Sequence, residues 1–148
     1  MIVIERVLPD VAAATLVGRE RDTLRLTWEG RRWTRKKLET TAGREVALAL
    51  PTGTVLSLGA LLLVEPDFYL AVEGEPEPVI AVRPKDHREA LRIAFEVGNR
   101  HFSLAEEGDS LLVPDDSALT QLLDRLAVSW ERRAAVYSPI GFAHAHEY

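Results

Sequence analysis

Four histidines carry the metal-ligand chemistry of this chain: His87, His101, His144 and His146. Cysteine is absent, which excludes disulfides, a thiol nucleophile, iron–sulfur ligation and thiolate zinc sites. A metal ion would therefore have to be held by imidazole, carboxylate or backbone oxygen. His144 and His146 are spaced i and i+2, so in an extended segment their rings share one face and can bend toward a common ion. The competing reading is a solvated chain end. His101 follows Gly98-Asn99-Arg100, which puts it just past a helix end and at the start of a strand, on rigid supports. There the competing reading is an imidazole satisfied by backbone groups or solvated at a corner. His87 falls in a first helical turn, where the helix dipole disfavours a protonated ring, and no function attaches to it.

Other chemistry finds little support. Gly98-Asn99-Arg100 and Pro51-Thr52-Gly53-Thr54 are not phosphate loops, and the chain has no Gly-x-Ser-x-Gly, His-Glu-x-x-His or dinucleotide-binding glycine pattern. Asp115-Asp116 is a carboxylate pair, but at a helix start such residues are caps first. An enzyme is not expected. Arg31-Arg32-Trp33-Thr34-Arg35-Lys36-Lys37 places five cations in seven positions, a patch that could face nucleic acid or an acidic protein. The reading favoured over both is a solvated strand that resists edge-to-edge pairing.

The 148 residues suit one ordinary domain or two small ones. With 47% hydrophobic and 28% charged residues, the composition is that of a folded, water-soluble chain. The 18 basic and 23 acidic residues leave a formal charge of −5, which disfavours nucleic acid and anionic membranes as partners. No apolar run approaches the ~20 residues of a membrane span, and Met1-Ile2-Val3-Ile4-Glu5-Arg6 lacks the features of a signal peptide. A cytoplasmic location is expected.

The elements that must position these side chains fall into two halves. Residues 1–72 alternate apolar and polar positions between turns, which predicts an all-β domain. Leu24, Leu26 and Trp28 read as one half-buried strand. Two hairpins are expected, one around Thr41-Ala42-Gly43-Arg44 and one around Glu65-Pro66-Asp67. Residues 73–78, Glu73-Gly74-Glu75-Pro76-Glu77-Pro78, read as a semi-rigid acidic linker. Residues 79–138 give strand, helix, strand, strand, helix, strand, the ferredoxin-like order. Asp86 and Glu89 cap the first helix, Gly98 is its expected stop, and Asp115 or Asp116 caps the second. Strands are expected at 101–105 and 128–137, and residues 139–148 form a histidine-bearing C-terminal tail.

With those residues in view, the sequence resembles the urease accessory nickel chaperones of the UreE family over nearly its whole length. In the first half the matching segments are Leu26-Thr27-Trp28-Glu29-Gly30-Arg31-Arg32, Leu38 to Val46, and Leu48 to Leu56. Glu77-Pro78-Val79 matches at the junction, Gly98-Asn99-Arg100-His101 matches the family's most recognisable tetrapeptide, and Gly141 to His146 matches the start of its tail. The resemblance implies an N-terminal peptide-binding-like β domain and a C-terminal ferredoxin-like domain that forms homodimers. It also implies Ni2+ as the metal, with Cu2+ or Zn2+ as substitutes, and delivery to apo-urease through accessory proteins that include a GTPase. On that basis His101 of each subunit meets its mate at the dimer interface, and His144 and His146 complete the metal shell. The alternative is a protein-interaction module that binds metal incidentally. The chain departs from the family pattern at Ala60, where Asp is usual, and at Ser103, where Pro is common. At Ser117 an extra histidine or other polar residue is frequent. Two tail histidines predict carriage of few ions rather than bulk storage.

Overall fold

Alternating apolar positions build the first unit of the computed structural model, which describes residues 1–141. Its strands are β1 (Ile2–Ile4), β2 (Glu20–Leu26), β3 (Arg35–Glu39), β4 (Glu45–Ala49), β5 (Leu61–Val64) and β6 (Phe68–Gly74). Two single-turn helices, α1 (Ala13–Leu16) and α2 (Trp28–Arg31), interrupt them. The strands form two three-stranded sheets, ordered β1-β4-β3 and β2-β6-β5. Ile4, Val46 and Leu48 from the first sheet and Leu24, Leu26, Leu62, Leu70 and Val72 from the second share one buried cluster. The hydrophobic core of this unit is thus built from both sheets. Both expected hairpins form, β3 with β4 and β5 with β6, each antiparallel.

Trp28 does not extend β2. Thr27 caps α2 instead, its Oγ1 accepting from the Gly30 N–H at 3.2 Å. The side-chain oxygen gives the backbone a partner that a strand would have supplied, and the chain turns.

The second unit begins at Pro76. Its elements are β7 (Glu77–Val82), α3 (His87–Asn99), β8 (Ala105–Glu107), β9 (Ser110–Pro114), α4 (Ser117–Arg125) and β10 (Trp130–Ala135). The sheet runs β10-β7-β9-β8, antiparallel throughout, which is the ferredoxin-like arrangement. Ile80 and Val82 of β7, with Leu111 and Val113 of β9, turn one face to Ile93 and Val97 of α3 and to Leu119, Leu122 and Leu123 of α4. Period two on the strands meets period 3.6 on the helices.

The stretch 73–78 is no free spacer. Glu73 and Gly74 close β6, Glu77 and Pro78 open β7, and Glu75 and Pro76 alone lie between them. Pro78 is accommodated because its partner on one side is Ala134 of the edge strand β10, and β9 pairs only from Val79 onward. The two edge strands of this sheet are shorter than expected. Residues 101–104 are turn and loop, and β10 stops at Ala135.

Candidate metal centre

Asp86 starts α3, accepting from the Glu89 N–H at 2.8 Å, while Glu89 Oε1 accepts from the Lys85 N–H at 3.2 Å. The helix then runs through Gly98 to Asn99, so Gly98 is not its stop. The left-handed position that ends it belongs to His101, with φ +62°. The His101 N–H donates to Gly98 O at 2.9 Å and the Phe102 N–H to Val97 O at 3.3 Å, the paired bonds of a Schellman motif. Phe102 packs against the same core cluster that holds Val97, which completes the motif's usual apolar contact.

Glycine is the residue that fits this position, because a Cβ there crowds the backbone at a cost of about 1–2 kcal/mol. A histidine kept at such a site, with its side chain exposed, is a local strain that invites a functional explanation. Ala127 ends α4 in the same way, with φ +57° and bonds from Ala127 N–H to Asp124 O and Val128 N–H to Leu123 O.

The described residues of a single chain do not close a metal site around His101. Among the described residues, no three histidine, aspartate or glutamate side chains converge where they could hold an ion. His87 is the first residue of α3 and is exposed. His144 and His146 lie outside the described residues. The chain leading to them is nonetheless fixed near the His101 loop. The Ile140 N–H donates to Leu104 O at 2.7 Å, and Tyr137 OH and Ser103 Oγ are hydrogen-bonded at 2.7 Å. Tyr137 is 3% exposed, and burial pushes its phenol up to about 12. That hydroxyl is therefore protonated across the physiological range.

On the outer side of α3, Leu91 and Phe95 stand one turn apart and are 58% and 68% exposed. Gly98 lies on the same side by helical spacing. A Cβ added at Gly98 would meet nothing within 4 Å, and the residue lies within helix α3, so nothing among the described residues calls for glycine there.

The basic stretch divides. Arg31 is buried at 1% exposure, its NH1 donating to Leu26 O at 2.9 Å and its guanidinium 5.6 Å from the Trp28 ring centre. It is a structural residue, set inward by the α2 turn. Arg32, Arg35, Lys36 and Lys37 are exposed, the last three on β3 at the edge of its sheet. Lys36 Nζ lies 4.9 Å from the Trp33 ring centre. Cations along an edge strand suit protection against unwanted strand pairing.

Sequence reasoning missed a buried carboxylate in the first unit. Asp22, 1% exposed, accepts from the Thr23 N–H at 2.8 Å, the Ala42 N–H at 3.0 Å, Thr40 Oγ1 and Arg44 NH1 at 2.9 Å. Arg44 also stacks over Phe68 at 3.8 Å. Burial alone would raise the Asp22 carboxyl, but its four hydrogen bonds outweigh that and hold it below its ordinary value. Its partners lie 18 to 22 residues away, apart from Thr23. No local pattern announces such a staple.

Comparison with known proteins agrees with the fold. Residues 4–73 match the family model described as the UreE urease accessory protein N-terminal domain, and residues 77–148 match the corresponding C-terminal domain. A urease accessory protein UreE of Burkholderia mallei is 35% identical over 96% of this chain and 72% of its own length. One of Burkholderia thailandensis is 33% identical over 96% of this chain and 68% of its own. That of Albidiferax ferrireducens is 30% identical over 99% of this chain and 91% of its own. The chain belongs to the UreE family of urease accessory proteins, which are accessory factors and not enzymes.

Proposed function

We propose that this chain carries Ni2+ to apo-urease for assembly of the urease active site, working with accessory proteins that include a GTPase. Two chains associate through their second units and present His101 from each to one ion, with His144 and His146 supplying further imidazoles. A nitrogen-rich shell of this kind suits nickel and accepts Cu2+ or Zn2+. The observation that carries the reading is His101 itself, an exposed imidazole kept in a backbone position that favours glycine. One imidazole holds a transition metal weakly, whereas a residue beside a twofold axis is doubled by its mate. No helix among the described residues is long and apolar enough to cross a membrane, in keeping with work in the cytoplasm.

The reach of the chain supports a shared site. His144 lies four residues past Ile140 and His146 six, spans of at most ~14 and ~21 Å. Ile140 is hydrogen-bonded three residues from His101. Donors on such an end can leave the ion one at a time, which allows transfer to the next protein.

Gly98 bears on the dimer. Glycine inside a helix costs about 0.5–1 kcal/mol relative to alanine, and nothing among the described residues requires it. A second copy laid against Leu91 and Phe95 would approach closest at a residue without a side chain. Gly98→Ala is therefore expected to stabilise the monomer slightly while weakening the dimer. Sedimentation with parallel Ni2+ titration checks this: the wild type should bind one ion per two chains at the tight site, and the variant should lose both dimer and tight site together. A strictly monomeric wild type in the presence of Ni2+ would refute the reading.

A further inference from the structure

The geometry points to residues 136–140 as a strap that fixes the root of the histidine tail beside His101, with Tyr137 and Ser103 as positioning residues for metal binding. This rests on the reading that His101 and the tail histidines share an ion.

β10 lies at one edge of its sheet and β8 at the other. Crossing three inter-strand steps takes about 14 Å. The five residues from Ala135 to Ile140 reach at most ~17 Å, yet Ile140 is bonded to Leu104, just before β8. The segment therefore crosses most of the width of the sheet. It is also held along its length, with Tyr137 and Pro139 buried, Tyr137 OH bonded to Ser103 Oγ and the Ile140 N–H to Leu104 O.

A strand end needs no such crossing to complete the sheet, since β10 already pairs along its whole length with β7. What the crossing does is move the anchor of the tail from the β10 edge to the loop that carries His101. It also shortens the stretch of chain between the last hydrogen-bonded residue and His144. Measured from the last fixed residue, His144 is four residues away with the strap seated and nine with it released at Ala135. Effective concentration falls roughly as the −3/2 power of tether length, so release dilutes the tail imidazoles at the site about threefold. The added distance across the sheet dilutes them further.

Ser103→Ala and Tyr137→Phe remove the same hydrogen bond from opposite ends. Ni2+ affinity, measured by competition with a chelator on the full chain, should fall in each by up to the threefold of full release, and no further in the double variant. In chains ending at Gly141 the same substitutions should leave Ni2+ affinity unchanged. The chain has no cysteine, so spin labels at Asn99→Cys and Ile140→Cys report the anchor without metal. A short, narrow distance distribution is expected, broadened by Tyr137→Phe. Unchanged distance and affinity in these variants, with the tail still contributing to binding, would overturn the strap alone. Removal of the tail without any loss of affinity would overturn the ligand assignment beneath it, whatever the labels show.

Discussion

His101→Gly should give a protein that folds more stably and binds nickel far less tightly. The stability gain comes from the backbone. His101 has φ +62°, a conformation that costs a side-chain-bearing residue about 1–2 kcal/mol. Glycine relieves that cost and returns part of the gain as unfolded-state entropy, leaving a net increase of about 1 kcal/mol. The binding loss comes from the imidazole, which the proposed dimer would contribute twice. Losing even outer partners of a metal ligand costs 10–100-fold, so losing the ligand pair itself should exceed about 100-fold. His101→Ala should lose the metal without the stability gain, because the strain remains. Ala127→Gly is the matching control, with the same backbone relief at φ +57° and no change in nickel affinity. Urea denaturation and Ni2+ titration of the three variants separate backbone from ligand. Nickel affinity that survives in His101→Gly would remove this residue from the site.

The second large effect lies in the first unit. Asp22→Ala strips the shared acceptor from two backbone N–H groups, the Thr40 hydroxyl and the Arg44 guanidinium. Arg44 is partly exposed and regains water, but the buried Thr23 N–H and Thr40 hydroxyl lose their acceptor, at a cost of about 1–3 kcal/mol each, a large share of a typical total stability of about 5–15 kcal/mol. Its pH dependence has a definite sign. The folded carboxyl lies below its ordinary value of 3.8, so the unfolded chain takes up a proton first as pH falls. The stabilisation is complete above the unfolded value and is lost as pH drops through the lower, folded one. Acid unfolding followed by circular dichroism should show Asp22→Asn already destabilised at neutral pH and less sensitive to acid than the wild type. An acid transition with the wild-type slope would mean that other carboxylates dominate it.

Much of the fold was legible because it is local. The hairpins at Gly43 and Pro66 follow from turn residues between alternating strands, and the α3 cap follows from Asp86 and Glu89. The β-α-β-β-α-β order emerged from periodicity alone. What escaped was decided by contacts remote in sequence or by one unusual dihedral. Gly98 looked like a helix stop because glycine normally takes the left-handed position, and here His101 takes it. Arg31 looked exposed among its charged neighbours until the Thr27 cap turned it inward. Asp22 and Tyr137 find partners 18 to 34 residues away, beyond the reach of any pattern. For the candidate site, the tetrapeptide ending in His101 pointed to the residue, while its strained backbone and the anchored tail root became visible only in three dimensions.

The proposed carrier role depends on one ion shared by two copies of His101. Anomalous diffraction at the nickel edge, from crystals of the full chain grown with Ni2+, addresses it directly. The expected map has a single strong peak on a twofold axis, within bonding distance of both imidazoles. A peak bound by one chain alone, or one remote from His101, would contradict it.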